Sequence, residues 1–504
     1  MSLAKTLCGA LRGVAEDGVE IYRGIPYAAP PLGPRRLAPP EPPEAWRGTR
    51  DATRFGAAPP QRHDPLVDAL GLLHGCHMDE DCLQLNVFTP AADGAARPVM
   101  VWIPGGAFIG GAAGVPLYDG RALAANGDVV VVTVSYRVGA LGFSALPKQG
   151  ARPAIANLGL LDQIAALRWV RDNVAGFGGD PAGVTVFGES AGAGSILGLA
   201  GMPAAEGLFR RAIVQSAAPR GVLGWDEALA RTRAVQAALA KDELAGASVA
   251  RVLEAQYACA DAGIPRTGMY YAPVADGATL ATPPWQSFAT GWARDVDLVI
   301  GTTRDEMWLY TTGQPDADAV VARIVAAQLE GAPDRDARAR ELIAGYRAAR
   351  VARGAKASPC DVNHAIQTDL SLRYDATCIA AARAPRANTW MYLFTWTSPW
   401  RGGAVGACHA LDLPFTFGTL DAPGMREFAG GGEAARGLSR RLRDAWTRFA
   451  REGEPGHPGI GEWPAYQPGR RATMELGARC GVQDAPLEAE RALLERLLGR
   501  SPAV

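Results

Sequence analysis

Six short segments of the chain carry nearly continuous apolar residues, rich in valine, isoleucine and aromatics and closed by glycine, proline or serine. They are Val99 to Ile103, Val129 to Tyr136, Val184 to Phe187, Arg211 to Gln215, Asp297 to Ile300 and Thr389 to Phe394. Runs of this length, apolar at consecutive positions, are the pattern of strands buried on both faces of a parallel sheet. Between the second and third, Leu160, Ile164, Leu167, Val170 and Val174 recur at helical spacing and predict a helix. Asn157 is placed to cap its start and Gly176 to end it. Strand, helix and strand in this order predict an α/β protein built on a central, mostly parallel sheet. The alanine- and arginine-rich stretches 225–256 and 317–350 also have helical spacing, and read as helical excursions from that sheet. The proline-rich stretch from Pro26 to Pro43 suits neither a helix interior nor a central strand, and is expected to wrap over the surface. With no linker-like composition and no internal repeat, residues 1–504 are expected to form one domain.

Composition and charge narrow the functions open to such a protein. Lys and Arg number 51 against 52 for Asp and Glu, a net charge of −1, which supplies no basic field for a phosphate backbone. Nucleic acid is therefore not an expected partner. No run approaches the ~18 consecutive apolar residues of a membrane span, and the opening MSLAKTLCGALRG is too short in apolar residues to act as a secretory signal. The eight cysteines are sparse and irregularly spaced, unlike a disulfide framework. These features predict a soluble, cytoplasmic protein with reduced thiols.

Chemistry concentrates at a few places. Val184-Thr-Val-Phe-Gly-Glu-Ser-Ala-Gly192 runs from a predicted strand through G-x-S-x-G into a helix-like segment. The glycines permit a tight turn that lifts the Ser190 hydroxyl above the sheet edge, and the following helix start offers amides to an oxyanion. A competing reading starts from Gly192, Gly194 and Gly198, which superficially resemble a dinucleotide-binding turn with Arg210 or Arg211 available for a 2′-phosphate. It would make the protein an NADP-binding oxidoreductase. A serine nucleophile needs a base, and in the order serine, acid, histidine the candidates are His364, His409 and His457. His409 follows a strong strand and a glycine-rich loop, a better setting than the helix-like surroundings of His364 or the turn around His457. The acid is expected after the strand beginning at Asp297, where Asp305 and Glu306 are adjacent. Both cannot face one imidazole. Backbone donors for an oxyanion are expected from the loop Pro104-Gly-Gly-Ala-Phe108. His74, Cys76, His77 and Cys82 lie close in sequence, but closed zinc sites draw ligands from separated knuckles. A surface loop is the preferred reading, and no metal or other cofactor is expected.

Taken together, several segments resemble one family, the type-B carboxylesterases of the α/β-hydrolase superfamily, and most of all its bacterial p-nitrobenzyl-type esterases. Arg23-Gly-Ile-Pro-Tyr-Ala-Ala-Pro-Pro-Leu-Gly33 and Glu80-Asp-Cys-Leu-Gln-Leu-Asn-Val87 look like its N-terminal signatures. Phe187-Gly-Glu-Ser-Ala-Gly192, Gly301-Thr-Thr-Arg-Asp-Glu306 and Cys408-His-Ala-Leu-Asp-Leu-Pro-Phe-Thr-Phe-Gly418 look like its nucleophile, acid and histidine motifs. The resemblance runs from about residue 10 to 480 and implies the α/β-hydrolase fold. It further implies Ser190 as nucleophile, His409 as base and Glu306, rather than Asp305, as the orienting acid. The amides of Gly106, Ala107 and Ala191 would form the oxyanion hole, and Glu189 and Ser216 a buried polar network behind the triad. The sequence departs from the family at Pro104, where a histidine or tyrosine is usual, and at Met307, where a glycine is usual. Cys82 matches a family cysteine whose usual disulfide partner is missing upstream.

The expected function is hydrolysis of carboxylic esters through an acyl-enzyme. Carbamate or amide cleavage, or acyl transfer to an alcohol, remains open on the same triad. A non-catalytic binding protein on this fold would be expected to lack a triad member. Phe108, Met307, Trp308, Leu309 and Tyr310 are the apolar candidates for lining the substrate pocket, which favours a small neutral ester. The protein is expected to work as a monomer or homodimer.

Overall fold

The apolar runs lie side by side in a single sheet of 13 strands. The computed structural model describes residues 2–63, 73, 75–148, 150, 153–240, 243–262, 269–281, 284–311, 316–329, 331–386 and 388–498. The strands of this sheet are β1 (Ser2–Thr6), β2 (Gly9–Glu16), β3 (Val19–Pro26), β4 (Thr49–Asp51), β5 (Gln84–Thr89), β6 (Arg97–Ile103) and β7 (Val130–Val134). They continue with β8 (Gly179–Glu189), β9 (Arg211–Gln215), β10 (Asp297–Thr303), β11 (Thr389–Phe394), β12 (Ala472–Leu476) and β13 (Cys480–Asp484). The spatial order is β1-β2-β3-β5-β7-β6-β8-β9-β10-β11-β12-β13, with β4 beside β2. From β7 to β12 every neighbouring pair is parallel. The additions at both sides, β1-β2-β3-β5-β7 and β12-β13, are antiparallel.

Helices cover both faces, as buried parallel strands require. The helices that matter below are α1 (Leu158–Asn173), α2 (Ala191–Ala200), α3 (Arg335–Ala352), α4 (Pro359–Thr368), α5 (Tyr374–Arg383), α6 (Glu433–Glu452) and α7 (Glu488–Leu498). Alternation along β6 shows how the strands are sandwiched. Val99, Val101 and Ile103 pack into the core containing Ile164 and Leu167 of α1 and Ile196 of α2. Met100 and Trp102 pack into the opposite core with Leu438, Leu442 and Trp446 of α6. A satellite core joins Leu342 and Tyr346 of α3, Val362 and Ile366 of α4, and Leu494 of α7.

The stretches read as helical excursions hold helices Trp225–Ala238, Val249–Ala262, Asp318–Gln328 and α3. Two helix-end expectations need correction. Asn157 does not cap α1: it is left-handed at φ 61, with no side-chain cap bond. Its side chain instead ties down Val274, accepting from Val274 N and donating to Val274 O. Gly176 does not end the helix either, because a 3₁₀ turn continues it to Phe177 and Gly178 terminates at φ 78. Gly176 is needed for a close approach, since a Cβ there would stand 2.2 Å from Lys5 O.

Parallel strands place all their C-terminal ends on one edge of the sheet, where open α/β sheets bind ligands. Here that edge receives the loop after β6, Ser190 after β8, Ser216 after β9 and Glu306 after β10.

Candidate active site

Ser190 sits where β8 turns into α2, at φ 55 and ψ −123. A non-glycine residue held there is strained, and the surroundings must enforce it. They do so by contact: a Cβ on Gly192 would lie 2.0 Å from Ile103 O, and one on Gly188 2.7 Å from the carbonyl carbon of Gly192. The Ser190 amide donates to Gln215 O at 2.9 Å, which fixes the turn on the neighbouring strand. The side chain is half-buried and therefore reachable.

The loop after β6 lies directly against this turn, because a Cβ on Gly105 would meet Ser190 Cβ at 3.2 Å. Gly106, Ala107 and Phe108 all have positive φ, at 124, 52 and 59. The Tyr136 hydroxyl donates to Pro104 O at 2.7 Å, and Gly139 N donates to Phe108 O at 2.6 Å, so the loop is pinned at both ends. Among the described residues the amides of Gly106 and Ala107 have no acceptor. Ala191 is the first residue of α2, where helix amides lack intrahelical acceptors. The three predicted oxyanion donors thus flank Ser190.

Glu306 is completely buried. Its Oε1 accepts from the Ser216 hydroxyl at 2.6 Å and from Thr303 N at 2.7 Å, and its Oε2 lies 2.6 Å from His409 Nδ1. The adjacent Asp305 turns to the backbone, accepting from Ala407 N at 2.9 Å, and so braces the loop that carries the histidine. On the other side of the ring, His409 Nε2 lies 3.0 Å from Glu189 Oε1. No bond between His409 and the Ser190 hydroxyl is formed. Burial by itself would lower the pKa of this imidazole, but Glu189, Tyr310 and Glu306 more than offset it and hold it well above the ordinary range.

Several residues whose roles the sequence did not signal extend this network. Asp412, three positions after the histidine, is buried and accepts from Gln215 Nε2 at 2.8 Å and from the Tyr392 hydroxyl at 3.2 Å. Burial, with Glu189 and Glu306 nearby, pushes its carboxyl up to about 7. Trp446 Nε1 donates to Gln215 Oε1 at 3.4 Å. Asp412 falls inside the histidine motif, but nothing in the sequence marked it, Gln215 or Trp446 as part of this network.

Of the pocket candidates, Phe108 is buried against Phe143 and Leu309 lies in the core beneath. Met307 and Trp308 are half-buried, with Trp308 packed on His364. Tyr310 is 56% exposed, and its ring lies 5.5 Å from that of His409. His457 lies in a turn with Nε2 2.9 Å from Arg441 O. The dinucleotide reading fails on geometry. Gly192, Gly194 and Gly198 lie within α2 rather than in a turn before it, and Arg210 and Arg211 stand at the start of β9, the opposite edge of the sheet from Ser190. Of the cysteine- and histidine-rich loop, His74 lies outside the described residues, and Cys76 and Cys82 are free thiols. Among the described residues no group of three His, Cys, Asp or Glu side chains is placed to hold a metal ion. No helix among them is long and apolar enough to cross a membrane.

Comparison with known proteins gives this geometry a context. The model of the carboxylesterase family matches residues 2–493. The chain is 38% identical to the para-nitrobenzyl esterase of Bacillus subtilis (strain 168), over 97% of each chain. It is 35% identical to the phenmedipham hydrolase of Pseudarthrobacter oxydans, over 94% of this chain and 95% of that one. A solved p-nitrobenzyl esterase structure superposes with a TM-score of 0.85 at 37% identity, covering 98% of this chain and 99% of the other. A Geobacillus stearothermophilus carboxylesterase does so with a TM-score of 0.85 at 36% identity, covering 98% and 100%. The chain belongs to the carboxylesterase family and has the α/β-hydrolase fold.

Proposed function

We propose that the enzyme hydrolyses short neutral carboxylic esters through a covalent acyl-enzyme on Ser190. The observation that carries this reading is the imidazole of His409, bonded at Nδ1 to the buried Glu306 and bounded at Nε2 by Glu189, beside a strained and reachable serine. Turning the ring from Glu189 towards Ser190 lets Nε2 accept the hydroxyl proton as the oxygen attacks the ester carbonyl. The amides of Gly106, Ala107 and Ala191 then receive the oxyanion. His409 returns the proton to the departing alcohol, water attacks the acyl carbonyl, and the acid leaves. Glu306 holds the tautomer throughout, and is itself held by Ser216 and Thr303. The half-buried Met307 and Trp308 and the exposed Tyr310 supply apolar area for an uncharged acyl or aryl group.

Rapid mixing with p-nitrophenyl butyrate tests the acyl-enzyme. A burst of p-nitrophenol approaching one equivalent per chain is expected when deacylation is slower than acylation. Ser190→Ala should remove the burst and lower kcat by about ten-thousand-fold or more. A variant within about tenfold of the wild type would sink the assignment.

A further inference from the structure

Away from Ser190, the structure holds a cavity of about 40 Å³, measured as space open to the centre of a water molecule. That is several times the roughly 10–15 Å³ needed by one water. The cavity is walled by β10 at Thr302, the middle of β11 at Met391 to Leu393, and β12 at Thr473, together with the turn that joins α4 to α5 and the first turns of α7. Part of its wall is apolar: Met391, Leu393, Pro486, Leu487 and Leu494. The rest is polar and cationic on balance, with Arg373, Arg471 and Arg491 against the carboxyls of Asp369 and Glu488.

Two polar atoms of this wall have no partner among the described residues. One is the Tyr466 hydroxyl, on a side chain only 1% exposed, and the other is Arg471 Nε. The remaining Arg471 nitrogens are engaged at the rim, with Glu488 at 2.9 Å and Pro468 O at 2.8 Å. Burial pushes the Tyr466 phenol up to about 12 despite the nearby Arg471 and Arg491, so at neutral pH it presents an O–H donor. Unmet buried donors are costly, and two on one wall suit a single acceptor group. Backbone strain collects here too. Arg471, Ala485 and Leu487 are non-glycine residues at φ 51, 48 and 58, and strain of this kind gathers at ligand sites.

We propose that this cavity is a second ligand site, taking a short monocarboxylate with an apolar tail, and that its occupancy is felt at the acid loop. Tyr466 O–H and Arg471 Nε–H receive the carboxylate, and Met391, Leu393 and Leu494 receive the tail. Arg373 makes the connection. Its Nη1 donates to Asp369 at 2.7 Å, its Nε to Thr302 Oγ1 at 3.3 Å, and its Nη2 to Thr303 O at 3.1 Å and to Arg304 O. Thr303 N in turn donates to Glu306. The carboxylate held at Tyr466 and Arg471 adds negative charge to a wall that Arg373 shares, and its pull on this guanidinium shifts the backbone that holds the orienting acid. The turn that carries Arg373, Asp369–Arg373, is π-helical, a form frequent at functional sites.

The site is separate from Ser190, so the inference does not depend on the catalytic reading. Calorimetric titration of the full chain with sodium butyrate, after blocking the reactive serine with a fluorophosphonate, reads the cavity alone. Saturable binding is expected to persist in the blocked enzyme and to be absent with butyramide. Tyr466→Phe should weaken it by about tenfold or more, and Leu494→Trp, which fills the cavity, should abolish it. In the unblocked enzyme, butyrate should change kcat at saturating ester, where competition at Ser190 is outrun, and Tyr466→Phe should remove that change. Binding that vanishes on blocking, is matched by butyramide, or survives both substitutions overturns the site. An unaltered kcat at saturating butyrate overturns the link to the acid loop. If the serine does not react with the phosphonate, the catalytic reading fails and Ser190→Ala serves for the same titration.

Discussion

His409 lies between two buried carboxylates, and the division of labour between them determines how the site responds to pH. A base must be neutral to accept a proton, so a raised imidazole pKa keeps more of the enzyme inactive below it. The kcat/KM profile should therefore rise with pH with a midpoint above the ordinary ~6.5 of histidine. Glu189→Gln removes one of the carboxylates that hold the proton on the ring, and should move that midpoint down. A midpoint unchanged in the variant would show that Glu189 does not face the free enzyme's imidazole. Glu306→Gln should damage kcat far more than Asp305→Asn, because Glu306 meets the ring while Asp305 braces Ala407. Reversed severities in two folded variants would reassign the acid. Ser190 stood out as the centre of G-x-S-x-G after a strand and His409 as the histidine after a strand and a glycine-rich loop, while the choice of Glu306 over Asp305 came from the family resemblance. The roles of Asp412, though it lies inside the histidine motif, and of Gln215 were not legible, since a buried polar side chain at a strand end or helix start carries no spacing of its own. Nor was the contact of His409 with Glu189, which depends on a ring orientation set only in three dimensions.

At the level of elements, the central strands were readable because burial on both faces makes them continuously apolar. Arg211–Gln215 and Thr389–Phe394 are found residue for residue. The outer strands were hidden. Ser2–Thr6 alternates buried and exposed positions over five residues, and Cys480–Asp484 is half to fully exposed, so neither shows a core-strand signal. The exposed first residues of β8, with Asp180 and Pro181, look like a turn by composition. The loop after β6 was legible as a glycine loop with amides to offer an oxyanion; its pinning by Tyr136 was not. Tyr136→Phe leaves Pro104 O without that donor and loosens the oxyanion loop. It should lower kcat by about tenfold or more with little change in KM, short of the ~100-fold or greater loss seen when an oxyanion donor is deleted. A kcat within twofold of the wild type would mean the loop is held without it. The loop from Gly56 to Asp81 contains no Trp, Tyr or Phe, so it offers no aromatic face to a quaternary ammonium. By kcat/KM, butyrylcholine should be a poorer substrate than its uncharged isostere 3,3-dimethylbutyl butyrate. A preference for the cation would assign a cage to rings elsewhere, Tyr310 first among them.

Over the whole molecule, the buried network makes stability depend on pH. Asp412 is pushed up to about 7 in the folded state, above the ~3.9 expected unfolded, so the folded protein binds that proton more tightly. Its stabilising effect is complete below ~3.9 and is lost as pH rises through about 7. His409, also raised, adds the same sign at higher pH, with its contribution present below ~6.5 and lost above its folded value. Asp412→Asn keeps an oxygen for Gln215 and Tyr392 without the titration, and should flatten the fall of Tm between pH 5 and 8. An equally steep fall in the variant would place the titrating group elsewhere. The sheet brings Ser190, His409, Glu306 and the loop after β6 together from segments distant in sequence, the assembly that we propose forms the acyl-enzyme. The most direct measurement is intact-mass analysis after reaction with a fluorophosphonate, followed by mapping of the modified peptide. One adduct per chain is expected, located on Ser190, formed far more slowly in Glu306→Gln and not at all in Ser190→Ala. An adduct on any other residue, or an unmodified chain that still hydrolyses p-nitrophenyl butyrate, would contradict it.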